Sequence, residues 1–228
     1  MDFRRVLIEA TPLLLDGVKM TVLISLLSLI IGMIIGLLIC FMGRSRIKIV
    51  KFISAVYIWI IRGTPMIVQA FIVYFGMPQL IQLWIPTFRI DPFLAGLITL
   101  TMNASAYLSE IFRGGINSVN YGQIEAARSL GLNSAKTMIK VVLPQAFKHA
   151  LPSMVNQFII TIKDTSILSV IGLSDLVNRG KVYVGKSYQF FATYIIIAVY
   201  YLIVISILMV ISNILEKKIN YEKKGNSN

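Results

Sequence analysis

Three charged side chains stand in or beside runs that are otherwise uncharged: Arg62, Lys163 and Asp164. On insertion scales a charge at the centre of a bilayer costs roughly 2.5–3.5 kcal/mol, so such residues usually face a cavity or a partner. The carboxylate of Asp164 accepts hydrogen bonds, Thr165 and Ser166 follow it with hydroxyls, and Asn103 offers both an acceptor and donors. The plain alternative is structural. Lys163 and Asp164 can serve an ion pair or interhelical hydrogen bonds, and Arg62 can bind carbonyls freed where Gly63 and Pro65 open a helix. Glu110 suits a gate or a helix terminus. Covalent chemistry has no visible seat. Cys40 is the one cysteine, inside an apolar run, and His149 is the one histidine, with no ligand-spaced partner. Neither a catalytic set, a metal site nor a cofactor is expected. Gly180–Ser187 satisfies the G-x-x-x-x-G-K-[ST] pattern, but it lies between two apolar runs rather than after a buried strand, so it is read as a coincidence.

The elements that must position these groups are membrane spans. The chain has 228 residues, of which 57% are hydrophobic and 14% charged, and its mean hydropathy is +0.78. A soluble domain carries about 25% charged residues. Five spans are predicted: Met20–Gly43, Phe52–Met77 interrupted at Arg62–Pro65, Pro92–Phe112, Ala150–Leu173, and one within Ser187–Leu215. Residues 78–91 and 174–186 read as exterior loops. Residues 1–16 read as a short interfacial helix, and residues 216–228 as a disordered tail. No cleavable signal is expected. The net charge of +12 raises the question of nucleic acid, but position answers it. With the amino terminus outside, the inner segments hold thirteen Lys and Arg and the outer segments seven. That is the positive-inside bias, with the carboxyl terminus in the cytoplasm.

The polar stretch at 121–144 has its own logic. Glu125-Ala126-Ala127-Arg128-Ser129-Leu130-Gly131 predicts a short helix with a bare alanine face, begun after a break at Tyr121-Gly122. Gly131 stands where a left-handed cap belongs. Asn133 or Ser134 caps a second helix, which Pro144 stops. Such a helix suits a groove on a partner.

This segment resembles the cytoplasmic loop of ABC importer permeases: E-A-A, three residues, G, then Ile139 and Leu143-Pro144. Arg62-Gly63-Thr64-Pro65, Tyr74-Phe75-Gly76, Tyr107 to Ile116 and Lys163 to Ser166 are similar to the polar amino-acid branch of that family (histidine, arginine, glutamine and cystine importers). The resemblance covers roughly residues 13–215. It implies an all-α membrane protein with a type I importer core of five transmembrane helices and a cytoplasmic coupling helix, as one permease domain over 1–228. It implies a bacterial cytoplasmic-membrane location. It implies partners: an ATPase subunit that grips Glu125, Ala126, Ala127, Arg128 and Gly131, an extracytoplasmic amino-acid-binding protein, a second permease copy (the same or a similar chain) and membrane lipid, with no nucleic acid. ATP hydrolysis then falls to the separate subunit. A free amino acid carries an ammonium and a carboxylate. Asp164 can take the first or a cationic side chain, and Asn103, Thr165, Ser166 and Arg62 complete the expected substrate-binding set. The alternatives are a permease of this type for another small solute, an ion-coupled secondary transporter, and a membrane-embedded enzyme, for which no nucleophile–base pair is found.

Overall fold

The computed structural model describes residues 3–225, with side chains to Lys217. Among them every regular element is helical. We number eight helices: α1 Phe3–Gly43, α2 Lys48–Gly63, α3 Met66–Ile81, α4 Pro92–Asn117, α5 Tyr121–Ser129, α6 Ser134–Ile171, α7 Leu176–Ser187 and α8 Phe190–Gly225.

Three of these, α1, α6 and α8, are long and apolar enough to cross a bilayer, and α2 with α3 makes a fourth candidate bent by 105°. α4 falls outside that set for a physical reason. Its 26 residues reach about 39 Å at 1.5 Å per residue, but they are rich in Gly, Ser, Thr and Asn, and half of them are buried. It is the central strut, packed against α1 on one side and α6 on the other.

Small residues let the struts touch. Gly32 and Gly36 lie one turn apart on α1. A Cβ on Gly36 would stand 2.8 Å from the Ser105 carbonyl, and one on Gly32 would stand 3.1 Å from the Ala104 Cβ. Close approach through paired small residues is the main packing device of membrane helices, because lipid supplies no hydrophobic drive between them. Gly115 approaches the Ala146 carbonyl in the same way, tying α4 to α6.

Several expectations need correction. Residues 3–16 are not a separate interfacial helix. They open α1, which runs 41 residues without a break, and Val6, Ala10 and Leu14 pack against Leu176, Ala192 and Ile196. Residues 174–186 are mostly not a loop. Asp175 caps α7 by accepting from the Val177 and Asn178 amides, and Thr21 of α1 accepts from the Leu176 amide. The glycines and lysines of the rejected nucleotide motif are therefore helical, and Lys181 donates to Ser169 at 2.9 Å. Residues 216–225 continue α8. Extending a formed helix is cheap where starting one is not, and Glu and Lys are good helix formers. Residues 1, 2 and 226–228 of the two terminal segments lie outside the described residues.

Pro144 does not stop its helix either. A wider π-turn, Met138–Val142, precedes it, and α6 carries on to Ile171. The same device recurs in α3, where a π-turn at Ile72–Gly76 precedes Pro78. A proline lacks the amide for its turn and crowds the carbonyl four residues back. One wider turn relieves both problems.

Packing and burial make two expectations measurable. Gly36→Val is expected to destabilise the purified protein by about 1–3 kcal/mol, the usual range for overpacking, whereas Gly63→Ala, with open space around it, leaves the melting temperature near wild type. Asp175 is fully buried, and burial pushes its carboxyl up to about 6 although its cap bonds and Lys181 pull the other way. The charged form is thus disfavoured in the folded state. Relative stability is greatest below the ordinary value of 3.8 and falls as pH rises to about 6. Asp175→Asn keeps an acceptor without the charge, so its stability should gain on wild type between about pH 4 and 7. Parallel melting profiles would contradict this.

Candidate functional site

α4 carries the polar stripe. Asp91 starts the helix by accepting from the Phe93 and Leu94 amides. From there Asn103, Tyr107 and Glu110 recur at i, i+4 and i+7, one face of a helix. All three are at least partly exposed, while Ala104, Leu108 and Phe112 turn into the α1 contact and are buried.

The α2–α3 elbow faces this stripe. Thr64 precedes a proline and is pushed out of helical geometry; its φ and ψ are −119° and 144°. The break frees carbonyls, and Gln69 collects them. Its amide donates to the Ile61 carbonyl at 2.8 Å, the Thr64 carbonyl at 3.1 Å and the Thr64 hydroxyl at 2.9 Å. Arg62 is thereby released from the role of carbonyl partner. Its guanidinium lies 5.1 Å from the Tyr107 ring centroid and 3.8 Å from the Glu110 carboxylate. Glu110 is held more tightly by Arg113, which donates to both carboxylate oxygens. Two guanidiniums thus share one carboxylate, and Arg62 has the looser hold. Tyr57 of α2 bonds the Ser105 hydroxyl at 2.7 Å and the Met102 carbonyl at 3.0 Å, fixing the elbow against α4.

The remaining candidates lie where α6 tightens into a 3₁₀ turn at Thr165–Ile171, closed by Gly172 in the left-handed region (φ 86°). Lys163 is exposed, and Asp164 and Ser166 are half-buried. Among the described residues no hydrogen bond or ion pair reaches the Asp164 carboxylate, nor a hydrogen bond the Asn103 amide. Ser166 donates to the Lys163 carbonyl at 2.6 Å. Thr165 is fully buried and donates to the Ile162 carbonyl at 2.7 Å, so its hydroxyl serves the turn. The structure brings Arg62 to Glu110 and Tyr107. It makes no such contact between Arg62, Asn103 and Asp164 within the described chain.

The segment at 121–144 folds as its sequence dictates at one end and not at the other. Asn120, rather than a break at Tyr121-Gly122, caps α5 by accepting from the Gly122 amide. Gly131 ends it with φ 83°. The Leu132 amide reaches the Ala127 carbonyl and the Gly131 amide the Arg128 carbonyl, the paired bonds of a Schellman cap. Asn133 then caps the next turn through the Lys136 amide. Glu125, Ala126, Arg128 and Leu130 are exposed or half-exposed, but Ala127 is turned inward and buried. The bare face is Ala126 alone, bordering a groove of about 590 Å³ shared with Leu130 and Val141.

Sequence reasoning missed Tyr57, Gln69 and the sharing of Glu110. The last had a signal: Tyr107, Glu110 and Arg113 stand three apart, a spacing that puts neighbours together on a helix. Gln69 had none, because its partners are backbone atoms exposed only by the bend.

Apolar helices around a charged, partly open polar stripe define a membrane-embedded transport subunit. The chain belongs to the family described as binding-protein-dependent transport system inner membrane component, whose model matches residues 28–221. It is 39% identical to the arginine transport system permease protein ArtQ of Bacillus subtilis (strain 168), over 83% of this chain and 84% of that one. It is 41% identical to the glutamine transport system permease protein GlnP of Escherichia coli (strain K12), over 79% and 80%. A chain of a solved structure described as an amino acid ABC transporter with histidines superimposes with a TM-score of 0.88 at 38% identity, covering 96% of this chain and 99% of that one. The fold is the all-helical type I ABC permease fold.

A double-mutant cycle tests the shared carboxylate. Removing Arg113 is expected to cost more than removing Arg62 in thermal melts. The Arg62–Glu110 coupling should come out below about 1 kcal/mol, as for a long, partly exposed pair. A coupling several times larger would place Arg62 in a fixed structural bridge.

Proposed function

We propose that this chain is the membrane-spanning subunit of an ATP-driven importer of polar amino acids. The observation that carries the reading is a pair of side chains. Asp164 and Asn103 sit half-buried in an apolar bundle with no hydrogen-bond partner among the described residues, and Arg62 has only a loose one. A zwitterion needs what they offer: Asp164 for the α-ammonium, Arg62 for the α-carboxylate, Asn103 and Ser166 for the polar remainder. Thr165 holds the turn that aims Asp164. The names of the relatives, arginine and glutamine permeases, support that substrate class.

The chain crosses the membrane five times, by α1, the bent α2–α3 pair, α4, α6 and α8, with the amino terminus outside and the carboxyl terminus in the cytoplasm. The distribution of Lys and Arg supports this orientation. A separate ATPase engages the 121–144 segment through Glu125, Ala126, Arg128 and the Gly131 cap, with Ala127 beneath. A binding protein delivers the amino acid outside. A second copy, or a similar chain, closes the path, so that residues far apart in one chain meet the cargo from both sides. Closure of the ATPase favours one state of the path and the loaded binding protein selects it too. Alternating access arises from that difference in affinity.

The test is uptake by the transporter reconstituted with its ATPase and binding protein. Asp164→Asn is expected to lower uptake at limiting substrate by about tenfold or more, the scale of a hydrogen bond to a charged group, while subunit assembly is unchanged. Gly131→Val places a branched side chain at φ 83° and is expected to weaken retention of the ATPase. Wild-type KM in Asp164→Asn would remove the carboxylate from the site. Uptake driven by an ion gradient without the ATPase would replace the whole reading with a secondary transporter.

A further inference from the structure

An apolar cavity lies on the side of α4 away from its polar stripe. It measures about 610 Å³ and is walled by Ile34 and Leu37 of α1, Phe112 and Ile116 of α4, and Leu143 and Lys148 of α6. That volume is within the usual range for ligand pockets, about 300–1,000 Å³. The walls are apolar, and Lys148 is the one charged residue among them.

Helix geometry says which way it faces. At about 100° per residue, Phe112 lies about 180° around α4 from Asn103, and Ile116 about 220°. Tyr107 and Glu110 stay within about 40° of Asn103. The cavity therefore opens away from the polar stripe. It continues onto the outer face of α1, where Ile30, Ile34 and Leu38 are exposed within a run of 24 residues free of charge. Lys148 lies beside His149, which is bonded to Ser118 at the end of α4, so the cation stands at the level where α4 ends.

An apolar trough with one cation in its wall complements an anionic amphiphile. We infer that this cavity holds an acyl chain of an anionic phospholipid whose headgroup meets Lys148. Leu143 closes the 121–144 segment and Lys148 follows directly after it, beyond the π-turn at Met138–Val142. The lipid thus bears on the helix by which motion at the ATPase enters the membrane. The inference rests on the proposed membrane placement and does not depend on the cargo.

The experiment uses the complete transporter, permease with ATPase, in nanodiscs of phosphatidylcholine with increasing phosphatidylglycerol. Retained lipid is counted by native mass spectrometry, and ATPase stimulation by loaded binding protein is measured in parallel. One phosphatidylglycerol is expected per permease chain. Lys148→Ala should lower its apparent affinity about fivefold, the scale of one basic residue at a lipid surface. Lys148→Arg should restore it, and Lys48→Ala, at an exposed lysine outside the cavity wall, should leave it unchanged. Ile34→Trp, which narrows the trough, should displace the lipid with an unaltered melting temperature. Equal retention by wild type and Lys148→Ala would overturn the inference. So would a disulfide that links two Ile34→Cys chains through the introduced thiols, which would show a second copy in the trough. Loss of amino-acid uptake with lipid retention intact would count against the proposed function and leave the lipid site standing.

Discussion

Inside a bilayer no water is at hand to satisfy a backbone amide, a carbonyl or a charge, so each must find a partner within the protein. This constraint shapes the molecule. Helix α4, rich in Gly, Ser and Thr, sits in the middle, sheathed by α1 and α6. Its small residues face α1 and allow backbone-to-backbone approach at Gly32 and Gly36. Its polar residues face the other way. One helix thereby separates a packing side from a polar side, and α8, with few buried residues in its apolar stretch, is left to the membrane.

The irregularities obey the same rule. Where Pro65 breaks the α2–α3 pair, Gln69 takes up the loose carbonyls. Where Pro78 and Pro144 would interrupt α3 and α6, a π-turn ahead of each lets the helix continue. The exceptions are then conspicuous. Asp164 and Asn103 lack hydrogen-bond partners among the described residues, and Arg62 shares a carboxylate already held by Arg113. These are the groups that the proposed function assigns to cargo or to a facing chain.

Much of this is legible in the sequence. Uncharged runs of about 20 or more residues mark spans, the Gly63–Pro65 break marks the elbow, and Gly131 and Asn133 mark their caps. These signals are local: propensity, charge and a required φ act within a few residues. What escapes the sequence is long-range. Residues 3–16 carry four charges, and only their packing against α7 and α8 reveals that they extend α1. Residues 174–186 look like a loop because their helical face is short and its partner, Thr21, lies 155 positions away. Pro144 reads as a stop because a π-turn has no sequence signature. Thr165 joins the expected site by adjacency, and the 3₁₀ turn redirects its hydroxyl to Ile162.

The central claim is that α4 divides dry packing from a wetted path, and cysteine scanning along it tests that division most directly. In a variant with Cys40 replaced by alanine, single cysteines at positions 103, 107 and 110 should react with a membrane-impermeant maleimide, at rates that change when ATP is bound. Cysteines at 104, 108 and 112 should stay unreactive throughout. Labelling that follows no helical period, or that favours 104, 108 and 112, would contradict the account.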